Sequence, residues 1–244
     1  MNLADTKSIA MKNTEEINEM FSRIAEKYDL LNNLMTFGLH KIWKEAAIKL
    51  ALKEIKTHKP EGPQYALDLC SGTGDLALAL SKLSPNTNIC CIDNCIPMID
   101  LLKTKIKNKR ISLILGDSEN LNIEKKPFDL ISIGFGLRNL SNRILSLENI
   151  YKHLEDGGIF VCIDLGHINN YVWKKMFNIY FYKIVPFLGK VLTKDKDAYL
   201  YLPTSLESWY KQEELKDLIL KTGFKKCFYK NIAGGAVAIH IAVK

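Results

Sequence analysis

The sequence predicts an α/β fold: a doubly wound, mostly parallel sheet of seven strands, closed by a C-terminal antiparallel hairpin. Short apolar runs alternate with helical patterns from residue 64 onward, which is typical of βαβ units. The last two apolar runs are joined by a few residues that include Gly234-Gly235, as in a hairpin. A length of 244 residues suffices for one α/β domain with additions.

Each predicted strand is an apolar run that ends in turn residues, and the predicted helices are amphipathic stretches between the runs. We predict strands at Tyr65–Leu69, Ile89–Ile92, Ile111–Leu115, Phe128–Ile133, Ile159–Ile163, Lys225–Lys230 and Ala236–Val243. We predict helices at Leu76–Leu83, Met98–Ile106 and Arg143–Leu154. A turn at Asp156-Gly157-Gly158 is expected to lead into the fifth strand, and Asn231 with Gly234-Gly235 to form the final loop. Ligands of such sheets bind at the C-terminal ends of the strands.

Two segments lie outside this alternation. Glu15–Leu52 is predicted to be helical, and Tyr171–Leu192 is rich in aromatic residues but too often interrupted by lysine to span a bilayer. The second segment has two open interpretations. It is either an amphipathic core helix that ends before Pro186, or a cover over an apolar substrate, whose aromatic residues and lysines also suit a membrane interface. We expect one domain over 1–244, with a helical substrate-side extension over 1–60 and a core over 64–244 that carries a helical cover at about 171–205.

The most informative motif is the glycine loop after the first strand, Ala66-Leu-Asp-Leu-Cys-Ser-Gly-Thr-Gly-Asp75. Its glycines let backbone amides approach a ligand at a helix N-terminus. The acids expected near this loop are Asp68, Asp75, Asp93 and Asp117. They would repel the pyrophosphate of a dinucleotide but attract the ammonium and sulfonium of S-adenosylmethionine, and Asp93 could accept both ribose hydroxyls. The candidate residues for binding this methyl donor are Asp68, Gly72, Thr73, Gly74, Asp93, Asp117, Ser118 and Gly134.

The composition is that of an ordinary folded protein, with 47% hydrophobic and 25% charged residues. Met1–Asn18 lacks the apolar stretch of a secretory signal, so we expect a cytoplasmic protein.

The six cysteines lack the paired spacing of a metal or disulfide framework, and we expect reduced thiols and no metal. Part of the net charge of +7 lies in Lys103–Arg110, which we interpret as a solvated helix end, with contact to anionic lipid or RNA as the open alternative.

Four further stretches carry a family resemblance: Tyr28–Trp43, Phe135–Asn139, Asp195–Leu202 and Ala233–His240. With the glycine loop, they resemble the C-methyltransferases of menaquinone and ubiquinone biosynthesis, within the Rossmann-like class I methyltransferases that use S-adenosylmethionine. The glycine loop marks only the superfamily, whereas the first two stretches are particular to the family. The chain departs from the family pattern at 155–158, at Asp164-Leu165-Gly166 and at Gly134, where a serine is usual.

The resemblance implies C-methylation of a polyprenylated quinol by S-adenosylmethionine, with demethylmenaquinol as the expected substrate and the benzoquinol step of ubiquinone biosynthesis as the alternative. The catalytic candidates are Tyr28, Asp29, His40, Arg138 and Asn139. Arg138 would stabilise a phenolate and Asn139 would bind the second oxygen, while Tyr28 or a water carries the proton. A structural ion pair for Arg138, and helix packing for His40, remain open alternatives.

Two other functions fit parts of the sequence. A nucleic-acid methyltransferase would suit the positive charge, but the Asn/Asp-Pro-Pro-aromatic sequence of adenine amino-group methylases is missing after the fourth strand, and no RNA-binding motif is appended. A catalytically silent lipid- or partner-binding protein could share the fold, although the retained donor motif argues against it. We therefore expect a quinol substrate, no nucleic-acid partner and, for the aromatic segment, peripheral contact with the inner face of a membrane.

Overall fold

The computed structural model of the protein describes residues 14–121, 123, 127–188 and 204–244. Its strands are β1 (Tyr65–Leu69), β2 (Asn88–Asp93), β3 (Ile111–Leu115), β4 (Phe128–Gly134), β5 (Leu154–Leu165), β6 (Lys226–Ile232) and β7 (Val237–Val243). They form one sheet in the order β3-β2-β1-β4-β5-β7-β6. The pairs among β1 to β5 are parallel, whereas β7 is antiparallel to both β5 and β6. The predicted fold class is confirmed.

Helices cover both faces of the sheet. They are α1 (Thr14–Thr36), α2 (Leu39–Ile55), α3 (Asp75–Leu83), α4 (Ile96–Lys105), α5 (Arg143–His153), α6 (Tyr171–Ile179) and α7 (Gln212–Lys221). Successive side chains of β1 point to opposite faces, so Ala66 packs with α2 and α3 and Leu67 with α5 and α7. Two buried cores therefore hold the sheet between helical layers.

Two predicted boundaries near the C-terminal half of the sheet are wrong. The fifth strand begins at Leu154, and the expected turn at 156–158 lies inside it, where the pairing with β4 shifts register. Gly157 adopts the left-handed φ of 80° that this irregularity requires, and it has no side chain that would clash in that conformation. Asn231 belongs to β6 and pairs with Ala238, so the final connection is made by 233–236 alone.

The aromatic segment begins as α6 and does not end before Pro186, because helical structure continues through 185–188. A π-helical turn intervenes, in which the Val185 N–H donates to the Tyr180 carbonyl five residues earlier. This change of register carries the helix past a proline that has no N–H to donate. No side chain of α6 is buried, whereas Phe181 and Val185, farther along the segment, are buried in the core. The core-helix interpretation is therefore wrong for α6 but fits the helical residues that follow it.

The end of this segment is anchored on the N-terminal helices, since the Tyr180 hydroxyl donates to the Met35 carbonyl at 2.5 Å. Residues 189–203 of the expected cover, which include the stretch Asp195–Leu202, lie outside the described residues. In the part of the chain that is described, every helix is too short or too polar to cross a bilayer.

Candidate active site

A small cavity of about 90 Å³, here called the donor pocket, lies at the C-terminal ends of β1 to β4. The predicted donor residues in its wall are Gly72, Asp93, Asp117, Ser118 and Gly134. Backbone amides hold Asp93 in place, because its carboxylate accepts from the Gly72 N–H at 2.7 Å and from the Cys95 N–H at 2.9 Å. The pocket lies where β1 pairs with β2 on one side and β4 on the other, which is where ligands bind in open α/β sheets.

The other predicted donor residues, Asp68, Thr73 and Gly74, do not line this pocket. Asp68 is buried and accepts a 2.6 Å hydrogen bond from the Ser132 hydroxyl. Its second oxygen makes no well-formed hydrogen bond within the described residues, although the Ala77 N–H is near enough to favour its charge. Burial raises the pKa of Asp68 to about 7. A buried carboxylate with a spare oxygen fits the cationic end of S-adenosylmethionine.

The loops around the donor pocket are tightly packed and locally strained. Cys70 and Phe135 both line the pocket and hold left-handed backbone conformations, with φ of 49° and 57°. A Cβ at Gly136 would lie 2.6 Å from the Cβ of Cys70, whereas a Cβ at Gly72 would meet nothing within 4 Å. The loops thus press against each other and leave open space beside Gly72, as a bound ligand requires.

A second cavity of about 470 Å³, here called the large cavity, opens between α1, α2 and the aromatic segment. The aromatic segment contributes Trp173, Met176, Phe177, Tyr180, Phe181 and Val185 to its wall. Polar side chains are few, and they include Tyr28, His40, Lys44 and Arg138. Phe21, Tyr28 and Phe135 line both cavities, so the two spaces share a wall. An apolar molecule in the large cavity would therefore lie next to a donor in the smaller one.

Arg138 lies in the wall of the large cavity but is engaged in a buried ion pair. Its Nη1 donates to Asp164 Oδ1 at 2.6 Å and to the Phe135 carbonyl at 2.7 Å. The ion pair left open by the sequence is therefore present. The neighbouring Asn139 lines the donor pocket rather than the large cavity, and its amide donates to the same carbonyl at 3.3 Å.

Asp29 is in the wall of neither cavity. Its carboxylate accepts from the Thr73 hydroxyl at 2.6 Å and pairs with Lys105, whose ammonium also reaches the Thr73 carbonyl at 3.2 Å. Asp29 of α1 and Lys105 of α4 therefore both contact Thr73 in the glycine loop and connect these helices to it. The geometry gives Asp29 a part in holding the loop rather than in touching a substrate.

The sequence reasoning missed Lys44, which forms a polar group with His40 and Asp75 at the wall of the large cavity. Lys44 Nζ lies 2.7 Å from Asp75 Oδ2, and His40 Nε2 lies 3.7 Å from the same oxygen. Burial would lower the pKa of Lys44, but the field and hydrogen bond of Asp75 outweigh it and raise that pKa. Burial and the Lys44 charge lower the pKa of His40 to about 4. The sequence does contain a signal for Lys44: it lies one helical turn after His40 on the apolar face of α2, where a lysine is unusual.

Comparison with known proteins adds independent findings. A family model described as the ubiE/COQ5 methyltransferase family matches residues 9–244. A demethylmenaquinone methyltransferase of Leptospira interrogans is 37% identical over 234 residues, with 93% of this chain and 92% of that protein covered. A protein of the same name from Staphylococcus aureus is 34% identical over 244 residues, with 99% and 97% covered.

Solved structures with low sequence identity show the same fold. A methyltransferase from Thermotoga maritima, described as S-adenosylmethionine-dependent and as a possible histamine N-methyltransferase, has a TM-score of 0.63 at 17% identity, covering 93% of this chain and 99% of that one. The plantazolicin methyltransferase BamL, in complex with a triazolic desmethylPZN analog and SAH, has a TM-score of 0.67 at 14% identity, covering 98% of both chains.

Proposed function

The chain belongs to the ubiE/COQ5 methyltransferase family, and we propose that it methylates a ring carbon of demethylmenaquinol to give menaquinol. It is a methyltransferase that uses S-adenosylmethionine, whose sulfonium supplies an electrophilic methyl group when bound. The observation that carries the substrate proposal is the large apolar cavity, which shares a wall with the donor pocket. Polyprenylated quinols combine a polar ring with an apolar tail, and this pair of spaces suits both.

Donor binding is assigned to the glycine loop and the acids around it. Asp93, fixed by two backbone amides, is positioned to accept the ribose hydroxyls. Asp117 and Ser118 line the same pocket, and Gly134 leaves it without a side-chain contact at the position where the family usually has serine. Asp68 supplies negative charge from beneath the loop, while Thr73 and Gly74 shape the loop itself.

The substrate is positioned by residues of the shared wall and the large cavity. Methyl transfer is an in-line displacement, so holding the ring carbon near the donor methyl is a large part of the catalysis. Tyr28 lines both spaces, which suits a role in moving a proton from the quinol. Arg138 adds positive potential on the substrate side, although Asp164 balances its charge, and Asn139 faces the donor side.

Turnover of labelled donor tests the proposal directly. Protein with a short-tailed demethylmenaquinol is expected to transfer the methyl group to carbon, and a demethylated benzoquinol analogue is expected to react more slowly. Faster reaction of the benzoquinol would assign the protein to the ubiquinone step. Absence of reaction with both, in protein that binds the donor, would overturn the proposal of a quinol methyltransferase.

The mouth of the large cavity is proposed to contact the surface of a membrane that holds the quinol. Apolar side chains at this mouth are exposed to solvent, and we call them the apolar rim: Phe37 at 82%, Leu39 at 42%, Trp173 at 37% and Met176 at 58%. Exposed lysines flank the rim at Lys41, Lys174 and Lys175. An apolar surface with adjacent positive charge complements an anionic bilayer. A quinol could then enter with its tail remaining in the lipid.

A further inference from the structure

Lys44 brings a positive charge to the large cavity on the side of the glycine loop. Its ammonium contacts Asp75, the first residue of α3, and lies 5.7 Å from the centre of the Phe135 ring. Because Phe135 lines both cavities, Lys44 is close to the wall that the donor pocket and the large cavity share. The side chain is only 11% exposed.

The ammonium of Lys44 has hydrogen-bonding capacity left over. A lysine carries three N–H donors, and among the described residues its only hydrogen-bond partner is Asp75 Oδ2. A buried ammonium with unused donors is costly unless a ligand or water completes its contacts. The large cavity is the space onto which this side chain faces.

The tautomer of His40 follows from its neighbours. The Thr36 hydroxyl donates its single proton to the Asn32 carbonyl at 2.6 Å, so the 2.7 Å contact with His40 Nδ1 requires that nitrogen to donate. With its pKa lowered, His40 is neutral, and Nε2 therefore carries a lone pair. That nitrogen lies beside the same Asp75 oxygen as the Lys44 ammonium. A hydrogen-bond donor and an acceptor are thus adjacent at the cavity wall.

We propose that Lys44 and His40 bind the quinol hydroxyl next to the carbon that is methylated. Lys44 donates to the oxygen of this hydroxyl, and His40 Nε2 accepts its proton. The inference rests on the proposed quinol substrate and names the residues that recognise it. The other ionisable groups near Lys44 are Asp75, Tyr28 and Asp68.

The proton balance of the reaction fits this pair. The ring carbon supplies the electron pair of the new carbon–carbon bond, and the pair of the broken carbon–sulfur bond stays on sulfur. As the ring gives up its pair, the hydroxyl becomes strongly acidic and its proton passes to His40, where Asp75 stabilises the imidazolium. Lys44 donates a hydrogen bond to the carbonyl oxygen that this leaves. The ring carbon then loses its hydrogen as a proton to water, and Lys44 stabilises the negative charge that returns to the oxygen until the oxygen recovers its proton from His40.

The ionisation of a bound phenol tests Lys44 without requiring turnover. The probe is 4-methoxy-1-naphthol, which resists oxidation and whose phenolate is seen by absorbance, titrated with pH on the donor-free protein. Bound to the wild-type protein, it is expected to ionise about one pH unit below the free probe, because a nearby ammonium favours the phenolate. Lys44→Met is expected to remove this shift and to lower kcat on the order of 100-fold.

Lys59→Met is the matched control. Lys59 also forms a partly buried ion pair, with Asp129 and with Glu155 at 3.2 Å, but near the N-terminal ends of β4 and β5, at the opposite ends of the strands from the donor pocket. This variant is expected to lower Tm while leaving kcat and the ionisation of the probe as in the wild type. If Lys44→Met does not fold, Lys44→Met combined with Asp75→Asn removes both charges and is measured in the same way.

Wild-type values for both probe ionisation and kcat in a folded Lys44 variant would overturn the role of Lys44. Unchanged kcat in a folded His40→Leu protein would overturn that of His40. These failures differ from failure of the proposed function, in which the wild-type protein itself transfers no methyl group to demethylmenaquinol.

Discussion

Backbone amides, rather than other side chains, set the position of the acid at the end of β2. Asp93 accepts hydrogen bonds from Gly72 and Cys95 and is 8% exposed, so it presents its remaining acceptor sites at a fixed place in the donor pocket. Burial raises the pKa of Asp93, but the amides favour its charged form. A carboxylate fixed in this way can recognise two hydroxyls without first being ordered.

Asp93→Ala is expected to weaken donor binding by about 1.5–3 kcal/mol, because hydrogen bonds to a charged group are lost. Calorimetry with S-adenosylmethionine measures the change. Asp100→Ala, which removes an exposed acid on the adjacent α4, is the control and should bind normally. If a folded Asp93→Ala protein binds S-adenosylmethionine with unchanged affinity, Asp93 does not bind the ribose hydroxyls.

Arg138 has both a structural partner and a place in the cavity wall, and the two contributions can be separated. Arg138→Ala leaves Asp164 buried without its cation, so the free energy of unfolding is expected to fall by about 3–5 kcal/mol. If Arg138 also acts on the substrate, kcat should fall with donor affinity unchanged. Arg138→Lys keeps the charge but loses the planar fork, so its kcat should fall less.

The double variant Arg138→Ala with Asp164→Ala removes both charges and is expected to recover Tm without recovering kcat. Recovery of both would show that Arg138 acts only through the fold. Near-normal turnover in Arg138→Ala would likewise remove the residue from the mechanism.

The junction between β1 and α3 depends on close packing with α4. Gly74 has φ 85°, and a Cβ there would lie 2.1 Å from the Leu102 side chain. The absence of a side chain at this position therefore lets α4 pack directly against the loop. The same contact fixes the N-terminus of α3, where Asp75 begins the helix and meets Lys44.

Gly74→Ala is expected to destabilise the protein through both backbone strain and overpacking. Gly157→Ala is the matched control, because Gly157 has φ 80° but open space around its Cβ position. The control should cost about 1–2 kcal/mol from the left-handed conformation alone, and Gly74→Ala about 1–3 kcal/mol more from the overlap with Leu102. Urea unfolding measures both, and equal losses would show that Leu102 moves aside freely.

At the scale of the whole molecule, the mouth of the large cavity is an apolar opening to solvent, bordered by the apolar rim. Phe37 is its most exposed member and is held outward by a left-handed backbone, with φ 52°. Such a conformation is unusual for a bulky residue, and an aromatic side chain kept in solvent gains nothing from the fold. Contact with lipid would account for both features.

Association with anionic liposomes is expected, and it should weaken as salt is added. Phe37→Ser is expected to reduce liposome partitioning about tenfold, because one large apolar side chain no longer enters the interface. Ile144→Ser changes an exposed apolar residue of α5 outside both cavity walls, and it should partition as the wild type does. A protein that stays wholly unbound at low salt would contradict membrane contact.

The sheet was predictable from the sequence because its strands are short, apolar and separated by strong turn signals. β1 and β3 have the predicted bounds, since the polar Gln64 and the glycine loop flank β1, and Arg110 and Gly116 flank β3. The bulge in β5 was not predictable, because Asp156-Gly157-Gly158 has the composition of a turn, whereas in the structure it is a bulge between the β5 residues that pair with β4, with backbone hydrogen bonds to Lys244. The same holds for Asn231, whose ladder bond to β7 outweighs its turn propensity.

The parts of the candidate site that were predictable are those formed by residues close together in the sequence. The glycine loop and Asp93 follow from consecutive residues, and the structure brings them together in one pocket. Lys44 meets Asp75 across 31 positions of sequence, and no local pattern reports that contact. The pairing of Arg138 with Asp164 likewise joins the turn after β4 to the end of β5, and only the sheet brings these two together.

The wall that the two cavities share has a thermodynamic consequence. Phe21, Tyr28 and Phe135 line both spaces, so a ligand that fixes these rings on one side changes the surface offered on the other. Any such coupling free energy is reciprocal: the factor by which the donor alters quinol affinity equals the factor by which the quinol alters donor affinity. If the demethylated donor remains in the same pocket after transfer, the same reciprocity links its departure to that of the methylated quinol.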